Sequence, residues 1–189
     1  MNDDTLVVDP GLNAPGCAVF RDKLLVRAGP VSVPGKMSKL NIVERCREVV
    51  GLIYQWYWDN NPNTDVLGKP WYEHQVGQIV VEYPQIYAPG QSKGDPNDLP
   101  PMVGIDVGLA CLFPRVPVQS YFPREWAGAT TKAKSGDAWL SPRGQRVRQR
   151  LSASELAVLA DVRVTHDVID AIGIGLHHVG RFAPRRWTD

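Results

Sequence analysis

Four acidic side chains carry the chemistry that reads most directly from this chain. Asp167 and Asp170 stand three residues apart at the start of the segment 165–176, and residues i and i+3 share one helix face. From Ala171 to Leu176 no side chain is polar, the composition of a helix covered by other elements. Two carboxylates at the entrance of a buried helix are costly unless compensated, and a divalent cation is one compensation. The plainer reading is an exposed first turn, with Thr165 as N-cap and acids that favour the helix dipole. Asp9 directly follows Leu6-Val7-Val8, and Glu82 directly follows Ile79-Val80-Val81. In open α/β sheets the working site lies outside the carboxyl ends of the strands. If these two strands are adjacent and parallel, Asp9 and Glu82 meet there. Each acid alone has an ordinary structural reading; together they form a four-carboxylate set spread over two strands and a helix.

The elements that must position these acids are read from apolar runs and turn signals. Residues 5–8, 17–20 and 23–27 are short apolar strands, with Asp9-Pro10-Gly11 and Arg21-Asp22 as turns between them, a three-strand meander. A Pro/Gly-rich connection leads to a helix expected from Ser38, as N-cap, to about residue 58. Its apolar face is Leu40, Val43, Cys46, Val49, Val50, Ile53, Tyr54 and Tyr57. Residues 59–71 read as a long loop, 78–82 as a strand, and 88–101 as a Pro/Gly/Asp/Asn surface loop. A helix over 101–113 ends at Pro114, and 116–121 is a strand. Residues 124–142 read as a flexible basic arm in which Trp126 and Trp139 stand among Gly, Thr, Ser and Lys. Ser152 and Glu155 have capping-box spacing for a short helix over 152–159. The last helix carries the acidic pair, and a basic tail runs on from Arg181. The order is that of an α/β domain, without internal repeats.

The bulk composition narrows the classes. A chain of 189 residues, 43% hydrophobic and 22% charged, is expected to be one globular domain. The net charge of +1 demands no nucleic acid or membrane partner, yet it hides a local excess. Between Arg115 and Arg150 eight basic residues face only Glu125 and Asp137, an electropositive stretch. Cys17, Cys46 and Cys111 form no CxxC pair, so neither a disulfide framework nor a zinc knuckle is indicated. A reducing cytoplasmic setting is expected. The opening residues Met1-Asn2-Asp3-Asp4 lack a basic n-region and apolar run, so no signal peptide is expected. No apolar stretch approaches the roughly 20 residues that span a bilayer.

Asp9-Pro10-Gly11 after the first strand, Glu82 after a later strand, and Asp167-x-x-Asp170-Ala171 opening the last helix resemble RuvC, the Holliday-junction endonuclease family. That family belongs to the RNase H-like nucleases. Gly16-Cys17-Ala18-Val19 and the small-residue helix Ala171-Ile172-Gly173-Ile174-Gly175-Leu176 add to the likeness. The resemblance implies an RNase H-like α/β domain over 1–189, a mixed sheet of three-strand meander plus parallel strands, flanked by helices. It implies that Asp9, Glu82, Asp167 and Asp170 are the catalytic, metal-binding acids, with Asp9 bridging two ions. Two divalent ions about 3.5–4 Å apart supply charge stabilisation and a nucleophilic water for phosphodiester hydrolysis. Hard carboxylate oxygens suit Mg2+ or Mn2+ better than zinc. His166 stands as a further candidate ligand or proton carrier, its plain reading being a capping or surface histidine. His177 and His178 read as structural. Gly173 and Gly175 each cost about 1 kcal/mol in a helix, and would allow close approach to the sheet that carries Asp9.

The resemblance further implies branched DNA, a four-way junction cut by paired nicks, as substrate. It also implies a homodimer, with the helix from Ser38 as candidate surface, and a bacterial or phage-infected cytoplasm. Lys93, Lys132, Lys134, Arg143, Arg146, Arg148 and Arg150 are the candidate phosphate contacts. Trp126 and Trp139 are candidates for stacking on unpaired bases. A solvated face is the ordinary alternative for any one of these basic residues. The proline-rich loop after Glu82 and the longer 59–74 and 124–142 segments depart from a minimal RuvC and bear on substrate choice. Other readings are an RNase H-like nuclease acting on flap DNA or RNA–DNA hybrid, and a non-catalytic DNA-binding module of the same fold. An actin-like phosphotransferase is a third, but it ordinarily needs two such domains.

Overall fold

The computed structural model describes residues 4–59, 76–83, 99–127 and 137–182. Five strands form one sheet in the order β3-β2-β1-β4-β5. They are β1 (Asp4–Asp9), β2 (Gly16–Arg21), β3 (Leu24–Pro30), β4 (Val76–Glu82) and β5 (Val118–Tyr121). The first three make the expected antiparallel meander. Asp22 and Lys23, with φ of 48° and 68°, form the two-residue turn between β2 and β3; positive φ at both central residues matches the strand twist. β4 pairs parallel to β1, and β5 parallel to β4. The sheet is therefore mixed, as the RNase H-like reading requires.

The central strands read as unbroken apolar runs because both of their faces are covered. On one face Leu6, Val8, Cys17, Val19, Ile79 and Val81 pack against α1 (Ile42–Asp59) and α2 (Leu99–Leu112). On the other, Val7, Ala18, Phe20 and Val80 pack against α6 (His166–His178). Around α6 lie three short helices, α3 (Pro123–Trp126), α4 (Pro142–Arg148) and α5 (Ala153–Val158). The two-residue period of a strand puts Asp9 on the same face as Val7, and Glu82 on the same face as Val80. Both acids point toward the α6 side.

Several sequence expectations change. The first long helix starts at Ile42, not Ser38; Asn41 Oδ1 accepts the Glu44 N–H as its cap, and residues 35–39 form a separate 3-10 turn. The 124–142 segment is not an arm throughout. Its start enters α3, and its end forms a 3-10 turn over Ala138–Leu140 and the first residue of α4. Residues 128–136 lie outside the described residues, as do 60–75 and 84–98 with the two loops expected there. The Ser152–Glu155 capping box is present, and the Glu155 carboxylate also accepts the Leu25 N–H and pairs with Arg181. Among the described residues no helix is long and apolar enough to cross a membrane.

Candidate active site

β1 and β4 bring the first two acids side by side. Val8 pairs with Val81, so the next residues, Asp9 and Glu82, end neighbouring parallel strands spaced about 4.8 Å apart. On its other side Asp9 pairs with Gly16, and Gly16 brings in the helix. A Cβ there would lie 2.6 Å from Val168 N and closer still to the Asp167 carbonyl. Only hydrogen at this position lets the first turn of α6 rest on the sheet next to Asp9. Thr165 caps that turn, its Oγ1 accepting the Val168 N–H at 3.3 Å. Asp167 and Asp170 thus stand one turn apart at the helix end nearest Asp9. Asp170 is fully buried and Asp167 half-buried. The exposed-turn reading of this pair fails at Asp170.

Glu82 and Asp170 each have a protein partner. The Trp126 indole N–H donates to Glu82 Oε2 at 3.2 Å. Arg143 Nη1 donates to both carboxylate oxygens of Asp170, each at 2.9 Å. The Arg143 guanidinium also lies 5.0 Å from the centre of the Trp126 ring, a cation–π approach. Gly173 makes room for that ring, since a Cβ there would meet Trp126 Cζ3 at 2.5 Å. Gly175 is the glycine that meets the sheet, its α-carbon facing the Phe20 ring of β2. The expectation for the two glycines therefore holds for Gly175, whereas Gly173 accommodates a helix residue.

These contacts correct part of the DNA-binding set. Trp126 is 1% exposed, so it offers no face to an unpaired base; burying a large aromatic with its N–H satisfied outweighs exposure on a loop. Arg143 faces Asp170, and Arg146 donates to the Ala127 carbonyl at 3.0 Å and covers the Phe182 ring. Arg143 therefore lines the wall of the site, whereas Arg146 packs toward the C-terminal end of α6, beside Phe182. Arg148 and Arg150 are exposed, and Trp139 is half-buried against the α6-side core. Lys93, Lys132 and Lys134 lie outside the described residues. His177 packs edge-on against Tyr121, and His178 hydrogen-bonds Tyr121 and Gln78, so both are structural.

One acid escaped the sequence reading. Asp106 is the only charged residue of α2, and both its oxygens are buried without a hydrogen-bond partner among the described residues. Burial, with the Glu82 charge nearby adding to it, pushes its carboxyl up to about 7. A charge alone in an otherwise apolar helix was the available signal.

The donor set is made of hard oxygens, the chemistry that Mg2+ or Mn2+ takes. His166 Nε2 is a buried nitrogen with no hydrogen-bond partner among the described residues, directly beside Asp167, so a ligand-capable atom stands ready there. These residues fit a divalent cation in chemistry. They are not gathered into a closed cage: among the described residues no three His, Cys, Asp or Glu side chains form a metal-holding group. The indole and the guanidinium occupy oxygens that such a cage would use.

The sequence matches no protein-family model and no curated protein. The fold is similar to that of Thermus thermophilus RuvC, at 16% identity and a TM-score of 0.53, covering 96% of this chain and 99% of that one. T. thermophilus RuvC in complex with a Holliday junction substrate gives a TM-score of 0.49 at 16% identity, covering 93% and 92%. Fowlpox virus resolvase, in complex with substrate Holliday junction DNA, gives 0.45 at 15%, covering 93% and 96%. Sheet order, mixed strand directions and likeness over nearly the whole length agree: the chain has a RuvC-like fold of the RNase H type.

Proposed function

We propose that the chain is a metal-dependent endonuclease that hydrolyses phosphodiester bonds of branched DNA, resolving four-way junctions by paired nicks. The observation that supports it is the placement of the acids. Asp9 and Glu82 end adjacent parallel strands on one face, and the Gly16 contact seats the Asp167–Asp170 turn beside them. The substrate is carried over from the sequence resemblance to RuvC.

Asp9, Glu82, Asp167 and Asp170 would hold Mg2+ or Mn2+, with His166 as a further donor. Bound there, the cation would neutralise developing phosphate charge and make water a nucleophile near neutral pH. The chain's own part is to aim carboxylate oxygens from a rigid sheet edge and a capped helix turn, and to keep bulk water from Asp170 and Glu82. Arg143 offsets the charge of buried Asp170 and holds its carboxylate in place. Arg148 and Arg150, with Lys93, Lys132 and Lys134, would contact phosphates further out.

The chain would act as a homodimer cutting two symmetric strands. Among the described residues, an apolar groove between α1 and α2, lined by Ile42, Val43, Val107 and Leu112 among others, offers a surface for self-association. Val43 is 73% exposed and Val107 57%, unusual for a face left to solvent. A strictly monomeric protein at micromolar concentration would remove the dimer.

The deciding experiment compares four-way junction, flap, duplex and RNA–DNA hybrid substrates in Mg2+ and in EDTA. Symmetric nicks in the junction, lost in EDTA and in Asp9→Asn with junction binding retained, are expected. Hybrid-only cleavage, or wild-type cutting by Asp9→Asn, would overturn the reading.

A further inference from the structure

Trp126 is in a costly position for a residue with no function beyond packing. Its ring is almost wholly buried, its seat requires a glycine in α6, and its one polar atom is spent on Glu82 rather than on backbone. The same ring lies beneath the guanidinium that holds Asp170. A path of direct contacts thus runs from Glu82 on β4, through the indole of α3 and Arg143 of α4, to Asp170 on α6. Among the described residues these contacts join the strand half of the acid set to its helix half through side chains from elsewhere in the chain.

We propose that Trp126 is a positioning residue that aims Glu82 through its indole N–H and, with Arg143, couples Glu82 to Asp170. A glutamate has three side-chain torsions, and a ligand oxygen is useful only if the carboxylate plane is fixed. A donor on Oε2 fixes the plane of the carboxylate and with it the directions of its lone pairs, the role that outer partners play for ligating carboxylates. The Arg143 cation over the ring and the close seat against Gly173 restrict rotation of the indole about its bonds. The inference rests on the proposal that a divalent cation binds at these acids.

The decisive variant is Trp126→Phe, which keeps an aromatic ring in the core and deletes the N–H, together with the outer ring carbons that face Gly173. Mn2+ binding is measured by calorimetry on the full chain without DNA, beside wild type and Glu82→Gln. Wild type is expected to bind, Glu82→Gln to lose most binding, and Trp126→Phe to bind about 10- to 100-fold more weakly with an unchanged circular dichroism spectrum. In junction cleavage at saturating Mg2+, Trp126→Phe should recover most of kcat while KM for DNA stays at the wild-type value; a packing defect would instead lower stability in EDTA without weakening Mn2+ binding per folded molecule. Wild-type Mn2+ affinity in folded Trp126→Phe overturns the positioning role and leaves the metal reading standing. Absence of binding by wild type itself sinks the metal reading on which the role depends. If Trp126→Phe does not fold, wild type and Glu82→Gln labelled with 5-fluorotryptophan decide. A fluorine resonance moved by Mg2+ only in wild type supports the contact, and none moved in wild type refutes it.

Discussion

Gly16→Ala tests whether backbone contact between β2 and α6 is what seats the acidic turn. A methyl group there would stand 2.6 Å from Val168 N and nearer to the Asp167 carbonyl, all main-chain atoms. No rotamer change can relieve that, and ordinary non-bonded contact needs about 3.5 Å, so the first turn of α6 must retreat by about 1.5 Å to clear the carbonyl. Overpacking of this kind costs about 1–3 kcal/mol, and with backbone on both sides the upper end is expected. A misplacement of about 1 Å at a reacting centre can cost about 100-fold in rate. Two controls separate the effects. Gly51→Ala in α1 meets nothing within 4 Å and should gain up to about 1 kcal/mol from helix propensity. Gly175→Ala strikes the buried Phe20 ring two turns beyond the acids, and should lose stability with a smaller loss of rate per folded molecule. Urea unfolding gives the stabilities; junction cleavage and Mn2+ affinity, normalised to folded protein, give the seating. Should Gly16→Ala unfold with wild-type stability and cut at the wild-type rate, the contact is not what places Asp167 and Asp170.

Asp106 should make the protein less stable as pH rises. Its folded value near 7 lies above the ordinary 3.8, so the penalty is absent below pH 3.8 and grows until about pH 7, to an upper bound of roughly 4 kcal/mol. Asp106→Asn should flatten that limb in urea melts, and an unchanged limb would place the cause elsewhere. Glu155 has the opposite sign. Burial alone would raise its pKa, but bonds from Arg181, Leu25 N–H and Ser152 outweigh burial and bring it to about 2. Its contribution is complete above pH 4.5 and lost as pH falls through about 2, so Glu155→Gln should remove part of the acid-unfolding limb. Arg143→Ala takes the guanidinium from fully buried Asp170, a change that costs on the order of 3–5 kcal/mol when a buried pair is broken. The loss measured in EDTA should shrink in millimolar Mg2+, and equal losses in both would argue against a cation at Asp170.

The meeting of Asp9 and Glu82 was legible because strands buried on both faces appear as unbroken apolar runs, and a charge at the end of such a run has few reasons to be there. Leu6-Val7-Val8-Asp9 and Ile79-Val80-Val81-Glu82 are such runs, and the parallel pairing they suggested is present. The helix turn was legible as a spacing, and its burial was not: nothing local distinguishes Asp170, at 0% exposure, from half-buried Asp167. Trp126 misled for a physical reason. Flanking Gly, Thr, Ser and Lys describe the chain around it, whereas its partner Glu82 lies 44 residues away, and no pattern within one element encodes that meeting. Arg143 failed in the same way, since an arginine reads as surface unless a buried carboxylate 27 residues on is already known. Capping signals at Thr165 and Ser152 held because both donor and acceptor lie within one turn.

The placement of Trp126 and Arg143 changes how loss-of-function variants in this region must be read. Both lie in the stretch whose excess of basic residues suggests a DNA-binding surface, and both touch the acids instead. Loss of cleavage on changing either residue therefore does not by itself report lost DNA affinity. Salt dependence separates the two causes, because each phosphate contact adds about 0.9 to the slope of log K against log salt. Trp126→Phe should leave junction affinity and that slope unchanged while weakening Mn2+ binding. Arg148→Ala and Arg150→Ala, at exposed positions, should lower the slope by about 0.9 for each lost contact and leave Mn2+ binding unchanged. A slope reduced in Trp126→Phe, or Mn2+ affinity reduced in the Arg148 and Arg150 variants, would contradict this division between an outer basic surface and an inner wall that holds the carboxylates.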